Sequence, residues 1–135
     1  MRFSSRARSR GFTLIEMLVV ISMILILLSI ALPMYTRSIQ HSREVRLKQD
    51  LKTLNDAIDN YSLDKGPAPQ SADDLVQAGY IKFIPSDITG RTDSWQWKQE
   101  EFDKAWDPNN PGIGYVRSGS DEVSSDGRPY SEWDH

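Results

Sequence analysis

Eighteen residues from Met17 to Met34, MLVVISMILILLSIALPM, carry no charge. A run that long and that apolar is what a chain needs to cross a bilayer as a helix. Ahead of it stand Arg2, Arg6, Arg8 and Arg10, with no acid before Gly11. That basic flank favours a cytoplasmic N-terminus and sends everything after Met34 across the membrane. A cleaved secretory signal would have a shorter apolar region, about 7–15 residues, and a small-x-small site, which Ser29-Ile30-Ala31 imitates only weakly. One acid, Glu16, sits at the mouth of the run. A carboxylate costs on the order of 2.5–3.5 kcal/mol at the bilayer centre and less near an edge, and such residues usually have a partner. Either Glu16 lies among headgroups or a cation meets it. Cleavage between Gly11 and Phe12 would create an α-amino group, cationic at neutral pH, that a neighbouring copy's Glu16 could neutralise.

Composition narrows the rest. A chain of 135 residues has room for one spanning segment and one small domain, not for a multidomain enzyme. The formal charge is −3, and setting aside the four leader arginines leaves −7. An acidic exterior does not suit nucleic acid, whose phosphates need clustered Lys and Arg. The absence of cysteine excludes disulfides, thiolate metal sites and a thiol nucleophile.

Arg10-Gly11-Phe12-Thr13-Leu14-Ile15-Glu16 followed by an apolar helix resembles the class III signal of type IV pilins and type II secretion pseudopilins. The resemblance implies a prepilin peptidase that cuts after Gly11 and N-methylates Phe12. It makes Glu16 the assembly glutamate and Pro33 the proline around which the helix bends or loosens. Proline inside a helix removes one hydrogen bond, and Pro33 is also placed to mark the end of the spanning segment.

Beyond the membrane, Leu47, Leu51, Leu54, Ile58 and Tyr61 recur at helical spacing and predict one apolar face packed on the domain's own core. Arg46, Lys48, Gln49, Asp50, Lys52, Asn55, Asp56, Asp59 and Asn60 fall largely on the other faces. Lys65-Gly66-Pro67 predicts the helix end. Ser71-Ala72-Asp73-Asp74 starts a short helix that Gly79 closes. Residues 94–98 and 114–117 alternate well enough for two strands, joined through a loop rich in proline and asparagine. Four segments follow: a leader, 1–11; a transmembrane and polymerisation helix, 12–34; the amphipathic remainder of that helix, 35–64; and a globular region, 65–135. The expected class is α+β, a type IV pilin-like long helix on a small antiparallel sheet with a C-terminal loop.

The passage from Leu75-Val76-Gln77-Ala78-Gly79-Tyr80-Ile81 through Pro85-Ser86-Asp87-Ile88-Thr89-Gly90 is similar to the G-type pseudopilins, although the family's Asp-Pro-Trp-Gly stretch after it is not intact. That resemblance implies calcium in the C-terminal loop, on Asp121, the Ser118 carbonyl and Asp126. Read from residues alone, the Ser118–Gly127 segment is equally a solvated polar turn, since its spacing is not that of an EF-hand. Trp95, Trp97, Trp106 and Trp133 are expected to pack in the core or on the sheet, with a stacking platform as the alternative. No nucleophile elbow, phosphate loop or HExxH appears, and the two histidines, His41 and His135, sit apart.

The function implied is a non-catalytic structural subunit of a type II secretion pseudopilus: single-pass in the inner membrane with a periplasmic domain, polymerising with copies of itself and other pseudopilins on an inner-membrane platform. A type IV pilus subunit shares everything up to Pro33. Many pilins close their C-terminal region with a disulfide, which this cysteine-free chain cannot do. A signal-anchored periplasmic binding module that never polymerises is the reading from a different class.

Overall fold

The computed structural model describes Gly11 and residues 13–134; the leader residues 1–10, Phe12 and His135 lie outside it. Helix α1 runs Leu14–Lys65 and α2 runs Ala72–Gln77. Strands β1, Gln96–Gln99, and β2, Ile113–Arg117, pair antiparallel. A 3-10 turn over Tyr130–Glu132 closes the chain. This is the α+β, pilin-like arrangement expected. Cα packing divides the chain into two compact units, one ending at Ser38 and the other beginning at Ile39.

In the first unit every large apolar side chain from Leu14 to Met34 is exposed. A helix apolar all round belongs in lipid or inside a larger core. Its two hydroxyls cost little there, because each bonds back to its own helix: Ser22 Oγ to the Leu18 carbonyl at 2.7 Å and Ser29 Oγ to Ile26 at 2.6 Å. Pro33 stands inside α1, which continues past it without a break.

The second unit carries the core. Leu47, Leu51, Leu54 and Ile58 form the buried stripe of the helix, with Tyr61 half-buried beside it. Ala57 of the same helix, Leu75 of α2, Ile81, Trp95, Ile113, Val116, Tyr130 and Trp133 complete the cluster. Gly66, with φ of 88°, follows the last helical residue and supplies the left-handed cap. At the start of α2 the Asp74 carboxylate accepts the Gln70 and Ser71 amides at 2.9 and 3.1 Å. The sheet registers Gln96 on Arg117, Trp97 on Val116 and Lys98 on Tyr115, then slips so that Gln99 meets Ile113.

Two expectations are corrected. Asn55 is buried rather than on an outer face, because its amide bridges helix and sheet: Nδ2 donates to the Leu51 and Val116 carbonyls at 2.9 and 3.2 Å, and Oδ1 accepts the Val116 amide at 2.9 Å. Trp106 is 72% exposed, its ring lying over Gly66, where a Cβ would come within 3.4 Å of it. Trp95 and Trp133 are buried and Trp97 packs against the core, as expected.

Candidate functional site

Two segments carry the chemistry singled out in the sequence. The first is the N-terminal stretch around Gly11 and Glu16; Phe12, the expected new N-terminus, lies outside the described residues. Thr13 caps α1: its hydroxyl accepts the Glu16 amide at 3.2 Å, and its carbonyl accepts the Met17 amide. Glu16 therefore sits at the third helical position, where an acid is favoured by the unpaired amides and the positive end of the helix dipole. The Thr-x-x-Glu spacing is the capping-box signature. Sequence reasoning passed over Thr13 although that signal was present. Gly11 is exposed, and among the described residues a side chain there would meet nothing within 4 Å.

The second segment is the C-terminal loop. Asp121 Oδ1 accepts the Ser131 hydroxyl at 2.8 Å. Asp126 is held by Arg128, whose Nε and Nη2 donate to Oδ2 at 3.1 and 2.9 Å and whose amide donates to Oδ1 at 3.1 Å; the Ser124 hydroxyl donates to the same carboxylate. These donors hold its pKa far below the usual carboxylate range. Ser118 is fully buried, with its hydroxyl donating to Asp87 Oδ1 at 2.7 Å and accepting the Ser120 amide at 3.2 Å. The carboxylates of Asp121 and Asp126 therefore have separate engagements, and a guanidinium already pairs with Asp126. Among the described residues no three of His, Cys, Asp or Glu are grouped to hold a metal.

Two buried carboxylates organise this half of the domain: Glu44, which the sequence does not mark, and Asp87, which falls within the G-type passage. Glu44, 5% exposed, reaches from α1 to the loop: Oε1 accepts the Ser125 amide at 2.8 Å and the Tyr130 hydroxyl at 3.0 Å, and Oε2 accepts the Ser125 hydroxyl at 2.5 Å. Burial alone would raise its pKa, but the bonds from Ser125 and Tyr130 outweigh it and the net shift is downward. Asp87 accepts four bonds, from the Ile88 amide, the Ser94 and Ser118 hydroxyls and the Gly119 amide, at 2.7 to 2.9 Å. Gly119 is required there, because a Cβ would overlap the Ser94 carbonyl. No sequence signal marks either carboxylate as buried; both depend on partners more than thirty residues away.

A groove of about 280 Å³ opens between Arg43, Arg46 and Asp50 of α1 and the turn from Ser86 to Gly90. Its polar groups already serve the fold, Arg43 donating to the Ile88 carbonyl at 2.7 Å and Arg46 pairing with Asp50 at 3.7 Å. His41 is exposed on α1.

The profile of the prokaryotic N-terminal methylation motif matches residues 6–32, the span holding the cap, Glu16 and the exposed apolar helix. The type II secretion system core protein G of Escherichia coli strain K12 is 32% identical over 99 residues, covering 62% of this chain and 68% of that protein. The core protein G of Aeromonas hydrophila is 32% identical over 101 residues, covering 63% of this chain and 71% of its own length. The chain belongs to the G-type pseudopilins, within the type IV pilin superfamily. The competence protein ComGC of Halalkalibacterium halodurans is 33% identical over 72 residues, 53% of this chain and 71% of that protein. No solved structure matches significantly. As a G-type pseudopilin the chain has a structural role, and its N-terminal apolar helix fits a membrane anchor.

Proposed function

We propose that this pseudopilin waits in the inner membrane as a single-pass precursor with its C-terminal domain in the periplasm. A prepilin peptidase cuts it between Gly11 and Phe12 and methylates Phe12, and an inner-membrane platform assembles it with copies of itself and other pseudopilins. The growing fibre pushes folded proteins towards the outer membrane, with energy from a cytoplasmic ATPase. The observation that carries this reading is the methylation motif lying on a helix whose apolar side chains are all exposed from Leu14 to Met34. A soluble monomer does not expose so large an apolar surface. Lipid covers it before assembly, and neighbouring helices cover it in the fibre.

Moving from lipid to fibre gains little hydrophobic energy, since lipid tails are as apolar as leucine. A polar pair must then help set the register. Glu16 supplies the negative member, and the new amine at Phe12 supplies the positive one, with an ordinary pKa of about 7.7–8.0. A pair contributing about 2 kcal/mol lowers the critical concentration for growth roughly thirtyfold.

The test is Glu16→Ala in the full chain. The precursor should still insert and be cleaved, while fibre yield and secretion fall at least about tenfold. Fibres and secretion at the parent level would refute the role given to Glu16. The match to a competence protein favours a second reading, a type IV pilus-like fibre. A deletion separates the two: retained folded exoproteins point to secretion, and lost surface pili point to the alternative.

A further inference from the structure

We propose that the C-terminal loop of this pseudopilin is closed without a metal ion, with Arg128 as its internal cation and Glu44 as its anchor on α1. Calcium takes six to eight oxygen ligands at about 2.3–2.6 Å and needs carboxylates free to turn towards it. Asp126 is not free. Arg128 grips one of its oxygens with two guanidinium nitrogens and the other with its own amide, while Ser124 adds a fourth donor. A calcium ion at Asp126 would have to displace that guanidinium or sit beside a like charge in hydrogen-bond range of the same oxygens. Asp121 is tied to Ser131 across the loop.

The loop also closes through its own backbone. The Ser124 amide donates to the Arg128 carbonyl at 2.8 Å and the Gly127 amide to Ser124 at 3.1 Å. Gly127, at φ of 85°, makes that tight turn possible. The Tyr130 amide donates to Glu122 at 3.0 Å and the Ser131 amide to Ser120 at 2.8 Å, while Val123 bridges Pro129. Glu44 then fastens this closed loop to the helix through Ser125 and Tyr130. Lys48, one turn further along α1, lies 5.0 Å from the centre of the Trp133 ring. Protein groups thus hold both loop carboxylates and tie the loop to the helix, the work a bridging cation would do.

The experiment uses the purified full chain in detergent. Its melting temperature with a chelator and with millimolar calcium should agree within about 1 °C, whereas a structural ion at a hundred times its Kd would raise it by on the order of 10 °C. Equilibrium dialysis against calcium should show no saturable binding. Arg128→Ala removes the internal cation from a largely exposed side chain, so the domain should stay folded. Amide exchange at Ser124 and Gly127 should then quicken at least about tenfold, while Leu54 and Val116 keep their protection. Glu44→Gln should free the loop from the helix, with faster proteolysis after Arg128 and unchanged helical circular dichroism. If the buried Glu44 variant does not fold, the Arg128 variant and the calcium titration decide alone. A calcium-dependent rise in melting temperature, stoichiometric calcium binding, or full loop protection in Arg128→Ala would each overturn the proposal.

Discussion

Asp87 illustrates how far one buried carboxylate can organise a small domain. It is 4% exposed and accepts bonds from two amides and two hydroxyls, tying the turn that begins at Ser86 to Ser94 and to Ser118-Gly119. Replacing one acceptor oxygen with an NH2 group sets donor against donor at a buried site. Asp87→Asn should therefore cost about 3 kcal/mol, read as a lower denaturation midpoint at an unchanged slope. A control is Asp93→Asn, which breaks only an exposed pair with Arg91 and should leave the midpoint nearly where it was. Equal losses from the two variants would show that Asp87 is not an organising centre. The methylation motif that holds Gly11 and Glu16 was legible in the sequence because it is local, a few residues read in order. Thr13 was legible too, through its spacing to Glu16. Asp87, Glu44 and Arg128 were not, because ordinary surface positions and buried hubs look alike until the chain brings their donors together.

At the scale of elements, the helix and the two strands were readable from periodicity, with ends displaced by one or two residues. The stripe Leu47, Leu51, Leu54 and Ile58 is buried as its spacing required. What periodicity could not show is how the helix addresses the sheet. Asn55 interrupts the apolar face and offers β2 one acceptor and one donor, pairing both backbone groups of Val116. The same amide also satisfies Leu51 within the helix. By residue class it reads as polar and outward, and only the position of β2 shows otherwise. Asn55→Ala leaves the Val116 amide and carbonyl without these partners in the core, and should destabilise the domain by about 2–4 kcal/mol. Asn55→Leu should be no better, since the backbone groups remain unpaired whatever apolar volume is restored. Hydrogen exchange at the Val116 amide is the direct measurement: it should rise in both variants before exchange of the helix interior does. Retained protection of Val116 in Asn55→Leu would mean that the amide bridge contributes little.

At the scale of the whole domain from Ile39 onward, the carboxylates combine into a dependence on pH whose sign is fixed. Glu44 has a folded pKa below its ordinary 4.5, the bonds from Ser125 and Tyr130 outweighing its burial. Asp126 is lowered further by Ser124 and Arg128. A group depressed on folding contributes stability that is fully present above its unfolded pKa and is lost as pH falls through the folded value. Asp50 works the other way: burial raises its pKa above 3.8, Arg46 only partly opposing it. Its charged form is a cost at neutral pH, and protonation relieves that cost as pH falls through the raised value. Asp126 lies in the C-terminal loop and Glu44 fastens that loop to α1, whereas Asp50 lies on the face of α1 beside the turn at Ser86 to Gly90. Acid should therefore loosen the loop first. The melting temperature should be nearly flat from pH 7 to about 5 and fall below about 4.5, the onset set by the unfolded carboxylates. Glu44→Gln should start from a lower melting temperature at pH 7 and show a shallower acid decline, because the protonation that unfastens the loop has in effect already occurred. An acid decline in Glu44→Gln as steep as in the parent would show that other carboxylates, not this anchor, govern the loss.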